Sequence, residues 1–154
     1  MNRRASGRFA AAIWLALLLS ACASLIGPFS PIAYQNATSL KAETLALMDK
    51  ASEPYAQHSA EVDKLMVNVD KAYEYVAGVP LNETSAEQWL ILKKPDGNLL
   101  GKFFSRWKRD GSLSKSYITE FRGVISDAYD EIICLEANKK AATSCGGTVT
   151  GVQQ

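Results

Sequence analysis

An all-α fold, a small antiparallel helical bundle, is predicted for these 154 residues. Three observations predict it. Apolar residues recur three and four positions apart over long stretches, which is the spacing of one helix face. Proline, glycine and Asp-Gly pairs punctuate those stretches where short connections belong. No alternating apolar and polar run of useful length reads as a strand. With 47% hydrophobic and 21% charged residues, the chain fits a single globular domain.

The amino end reads as processing rather than fold. Arg3, Arg4 and Arg8 precede an unbroken apolar run over residues 9–19, and the small residues Ser20 and Ala21 lead to Cys22. Positive region, apolar core and small-residue cleavage site are the order of a secretory signal. An apolar run of this length makes a helix of about 16 Å, too short for a hydrocarbon core of about 30 Å. The quartet Leu19-Ser20-Ala21-Cys22 resembles the lipobox of bacterial lipoproteins. That resemblance covers the first 22 residues only. It implies a signal peptide over 1–21, cleavage before Cys22, and lipidation of the Cys22 thiol. Ala23 stands where an aspartate would favour inner-membrane retention, so the resemblance implies an outer-membrane, periplasm-facing protein. Acyl chains stabilise attachment by about 0.8 kcal/mol per buried CH₂, so two or three of them hold a protein stably.

Residues 22–33, with two prolines, a glycine and no charge, read as a lipidated tether. A helical domain is expected over 34–140. Ala37, Leu40, Thr44, Leu47 or Met48, and Ala51 mark its first stripe; Tyr55, Ser59, Val62, Met66, Val69, Tyr73 and Val76 mark the second. Pro54 lies between them, so 34–78 is either one Pro-kinked helix or two. The nearly unbroken phase from Met48 to Tyr55 favours the kinked form. Gly78 and Pro80 end it. Thr84 and Glu87 have capping-box spacing at the head of a short helix near 84–94, which carries Trp89 and Leu92. A second short helix near 98–109 places Leu99, Leu100, Phe103, Phe104 and Trp107 among Lys102, Arg106, Lys108 and Arg109. The last helix, 114–140, carries the stripe Ile118, Phe121, Ile125, Ala128, Ile132 and Leu135, and Lys139 with Lys140 suits its carboxyl end. A flexible tail is expected over 141–154.

In an exported chain Cys134 and Cys145 form an even pair, and the segment between them is long enough to fold back over the helix end. A Cys134–Cys145 disulfide is expected, with two free thiols as the alternative.

Chemistry is sparse. His58 is the one histidine. It has Glu61 one turn away, yet no second histidine or Cys-x-x-Cys exists to complete a metal site, so a boundary or surface histidine is expected. Without a nucleophile elbow, Gly-rich phosphate loop or haem motif, no enzyme, cofactor or metal is expected. Tyr55, Tyr73, Tyr117, Phe121 and Tyr129 fall at helical spacing and read as core, or alternatively as the lining of a ligand cavity.

Removing 1–21 takes Lys+Arg from 17 to 14 against 16 acids, so the mature chain is near −2 and a nucleic-acid partner is not expected. Charge is nevertheless uneven. Residues 34–92 hold 4 basic and 9 acidic side chains, whereas 93–122 hold 8 basic and 3 acidic. Lys102, Arg106, Trp107, Lys108 and Arg109 would form a contact to an anionic surface. The simpler alternative has the apolar side chains capping the bundle while the cations face water or the acidic helices. The partners expected are the membrane, through Cys22, and envelope proteins or peptidoglycan. The function expected is a protein-interaction or binding module. The alternatives are a small-ligand carrier with a tyrosine-lined cavity and, more remotely, a carboxylate-dependent hydrolase.

Overall fold

The computed structural model describes residues 27–139 and Cys145, and these residues form five helices. The leader 1–21, Cys22, Ala23 and the tail apart from Cys145 lie outside the described residues.

Helix α1 spans Pro31–Met48, α2 Tyr55–Ala77, α3 Glu83–Lys93, α4 Leu100–Asp110 and α5 Lys115–Asn138. Helix α1 packs on α2 and α5, and α3 packs on the same two helices. Cross-links give the directions. Lys41 meets Asp130 and Asp49 meets Arg122, so α1 and α5 are antiparallel. Asp70 meets Lys93 across α2 and α3. Helices α1, α2, α3 and α5, the third of them short, thus run up, down, up and down round a shared core that includes Leu40, Val69, Trp89 and Ile125. Helix α4 lies across one end. It leans on α2 and α3, and its Phe103 faces the Tyr117 and Phe121 rings of α5.

The tether ends earlier than expected. Ser30 caps α1, its Oγ accepting from the Ala33 amide at 3.2 Å, and Pro31 occupies the first helical position. There its fixed φ and missing N–H cost nothing, so this proline starts a helix rather than spacing a linker. Gly27 is already fixed, its amide donating to the Leu81 carbonyl at 2.7 Å.

Pro54 breaks the helix rather than kinking it, contrary to the expectation from phase. Its ψ of 126° is extended, and the chain turns over residues 49–54 into an antiparallel α1–α2 hairpin. Proline disfavours a helical residue before it. Met48, Ala51 and Tyr55 keep phase because all three face one core from either side of the turn. Two backbone bonds tie that turn to the α4–α5 connection: Leu113 N–H to Ala51 at 2.8 Å, and Tyr55 N–H to Gly111 at 2.7 Å.

The capping box is absent. Helix α3 starts at Glu83, so Thr84 is already inside it, and the N-cap residue is Asn82. The Asn82 side chain makes no cap bond; its Nδ2 donates to the Val76 carbonyl at 3.0 Å.

The α1 stripe is buried as expected, at Ala37, Leu40, Thr44, Leu47, Met48 and Ala51. In α2 the buried seam is His58, Val62, Leu65, Val69, Ala72 and Val76, because the helix is wedged between α1 and α3. Tyr55, Ser59, Met66 and Tyr73 fall to its half-buried flank.

Candidate functional site

Helix α4 divides cleanly by face. Leu100, Phe103, Phe104 and Trp107 point inward and are buried, while Lys102, Arg106, Lys108 and Arg109 are exposed. Gly101 lets this helix press against the end of α3, since an added Cβ would collide with the Lys93 and Lys94 carbonyls. Gly111, with φ of 79°, ends α4 in a conformation that favours glycine.

Trp107 leaves the expected contact set. It is fully buried, its Nε1 donating to the Glu53 carbonyl at 3.0 Å, with Tyr55 edge-on at 5.5 Å between ring centres. An indole held there closes the bundle and offers nothing to an outside surface.

The cations remain. The Arg106 guanidinium lies 4.2 Å above the Tyr117 ring and bonds Asp110 at 3.2 Å, so it is partly structural. Arg109 bonds the same carboxylate at 2.8 Å, and both arginines hold the Asp110 carboxyl below its ordinary range. Lys102 donates to Asn98 at 3.1 Å. Lys108 makes no hydrogen bond or ion pair among the described residues. Of the four cations on the outer face of this helix, two thus share the Asp110 carboxylate and the two lysines meet no carboxylate among the described residues. Elsewhere in the basic block, Lys93 pairs with Asp70 at 2.8 Å and Arg122 with Asp49 at 2.9 Å, so part of that charge faces acidic helices.

Beneath α4 sits His58, only 8% exposed, against the Trp107 ring. Its Nε2 meets a Glu53 oxygen at 2.7 Å and its Nδ1 a Glu61 oxygen at 3.2 Å. The Glu53 and then the Glu61 hydrogen bond raise its pKa, and Lys50 followed by His58 lowers that of Glu61. The expected boundary histidine is therefore a buried one between two carboxylates. No group of three or more His, Cys, Asp or Glu among the described residues is arranged to hold a metal ion.

The opposite end holds a polar cluster that sequence reasoning missed. Lys139 bonds Ser85 and Glu136, both at 2.8 Å, and also the Asn82 Oδ1. Both members of the Glu136–Lys139 pair are essentially buried. Their three-residue spacing was the available signal, obscured by reading Lys139 as a helix-end cation. Cys134 and Cys145 form a disulfide beside this cluster, with Cα atoms 5.7 Å apart.

The aromatic residues divide among separate packings. Tyr129 is buried against Trp89 with its hydroxyl 2.8 Å from that of Thr44, and burial raises its pKa. Tyr73 lies under Lys93, while Tyr55, Tyr117 and Phe121 belong to the aromatic packing around α4. They do not line one shared space. Among the described residues, no helix is long and apolar enough to cross a membrane. No protein-family model matches the chain, and neither a curated protein nor a solved structure matches it.

Proposed function

We propose that this chain is an outer-membrane-anchored lipoprotein whose helical domain faces the periplasm as an interaction module. In this reading the α4 cations engage anionic envelope material. The observation that carries it is polar placement: the chain enters the bundle at Gly27, bonded to Leu81, while α4 lies across the other end. Helix α2, of 23 residues, runs between those ends, a distance of about 34 Å at 1.5 Å per residue. A protein held by Cys22 would therefore present Lys102, Arg106, Lys108 and Arg109 away from its anchor. Aromatic packing beneath α4 supports the same reading, because a fixed helix loses little freedom on binding.

The experiment is co-sedimentation of the lipidated protein with isolated peptidoglycan, with and without Lys102→Gln, Lys108→Gln and Arg109→Gln together. Arg106 stays, because it packs on Tyr117. Wild-type protein should sediment, less so as salt rises, and the triple variant should remain in solution. Equal sedimentation of the two proteins would remove the cationic face from the reading.

A further inference from the structure

The exposed large apolar side chains are unevenly placed. Val67, Leu90, Ile91 and Val124 are scattered along helix flanks, but Ile32, Tyr34, Tyr75 and Leu81 gather at the end where Gly27 enters. We propose that this end is a lipid-contact surface, on which the domain rests against the headgroup and upper acyl region of a phospholipid bilayer. The inference rests on the lipoprotein reading and extends it from an anchor to a fixed orientation.

The chain itself argues for this occupant. Gly27 is five residue steps from Cys22, and at about 3.3–3.6 Å per residue these steps span no more than roughly 18 Å. A lipid on Cys22 would therefore keep this end, and no other, beside the membrane. Gly27 is bonded to the carbonyl of Leu81, so the anchor leaves the domain next to that side chain. Leu81 is a leucine in left-handed conformation, with φ of 62°, and is half exposed. Asn82 is drawn inward by Val76 and Lys139, and the strained residue before it turns its side chain outward. The bonds of Gly27 and Asn82 hold that backbone in place, and the result is an apolar side chain left exposed beside the point where the chain enters. Ile32 and Tyr34 lie in the first turn of α1, where side chains lean towards the helix N-terminus and hence towards this end. The Tyr75 hydroxyl bonds Ser30 at 2.9 Å, and tyrosine suits the interfacial zone of a bilayer. Glu74 and Glu83 are exposed close by, which favours a zwitterionic surface over a strongly anionic one.

The test uses the full, processed protein in phosphatidylcholine vesicles that contain a headgroup-depth spin-labelled lipid. A fluorophore is placed through Leu81→Cys or, as the distant control, Lys108→Cys. Quenching several-fold stronger at position 81 than at 108 is expected, and Ile32→Glu should weaken it at 81 alone. Equal quenching at both positions, on protein whose mass carries the acyl chains at Cys22, would overturn the surface while leaving the anchor intact. Absence of that mass would remove both. Energy transfer between copies labelled at position 81, without lipid quenching, would assign the patch to a second copy and also overturn the proposal.

Discussion

The two ends of the bundle are closed by opposite chemistry. At the α4 end the seal is aromatic: Tyr55 meets Trp107 and Phe103 meets Phe104 edge to face, Phe104 lies tilted on Trp107, and the Trp107 indole N–H donates to the Glu53 carbonyl. At the other end the seal is ionic, with Lys139 and Glu136 buried together and a disulfide alongside. An aromatic seal rests on buried apolar area and needs no partner charge to be neutralised. An ionic seal is only as good as its pairing, because each buried charge depends on its partner. The difference teaches how α4 can carry four exposed cations: its inner face is held mainly by apolar area, with the Trp107 bond to Glu53, and does not depend on pairing those charges.

Trp107→Ala should have the largest effect. It removes the biggest side chain of the aromatic seal and the bond to Glu53, so a loss of about 3–5 kcal/mol is expected from urea unfolding. Loss of less than about 1 kcal/mol would mean that α4 is not part of the cooperative unit.

At the ionic end, Lys139→Met leaves Glu136 buried without its cation and should cost about 3 kcal/mol. Combining it with Glu136→Leu should recover most of that loss, since an apolar pair needs no desolvation of charge. If the double variant is no better than the single one, the ion pair contributes more than its own neutralisation.

Both seals bear on what the sequence could reveal. The helical segments and the α4 inner face were legible, though not the division of 34–78 into α1 and α2, because burial of one helical face leaves a periodic trace in residues such as Ala37, Leu40 and Trp89. Pro54 was misread since periodicity records which core a residue faces, not whether the chain has reversed between two residues facing it. Thr84 and Glu87 had the spacing of a cap, but Asn82 took the cap position while spending its amide on Val76, a tertiary contact that spacing cannot encode. Of the candidate site, the four cations were legible from charge alone. The removal of Trp107 from that set and the Asn82–Lys139 grouping depend on residues more than fifty positions apart, so local pattern was silent about them. His58 and Glu61 were legible as neighbours on one helix, and Glu53 joins them only because the chain turns at Pro54.

Smaller again is the contribution of the disulfide. Cys145→Ser opens a loop of sequence separation 11, worth about 2–3 kcal/mol in chain entropy. The loss should be matched by reduction of the wild-type protein, and Trp107→Ala should add to it without coupling, because the two sites occupy opposite ends. Coupling measured in the triple comparison of wild type, single and double variants would mean that the ends communicate.

The finest test concerns pH and belongs to the α4 end. With Nε2 facing Glu53 and Nδ1 facing Glu61, both ring nitrogens of His58 must donate, which requires the imidazolium. Its pKa is raised from 6.5 by those bonds, Glu53 foremost. The stabilisation is therefore fully present below the unfolded value and is lost as pH rises through the folded one. Glu61 acts in the opposite sense: lowered from 4.5 by Lys50 and then His58, it stabilises above its unfolded value and loses that as pH falls through its folded one. Stability should therefore peak in mildly acidic solution, and the urea midpoint should fall as pH rises above the ordinary histidine value of 6.5. High salt should flatten the slope because Glu53 and Glu61 are half exposed. His58→Gln should abolish the slope and reduce, without removing, the acid-side loss, because Lys50 still holds Glu61. A slope unchanged in that variant would assign the pH response to a group other than the histidine beneath Trp107, and the aromatic seal would then carry no ionic component of its own.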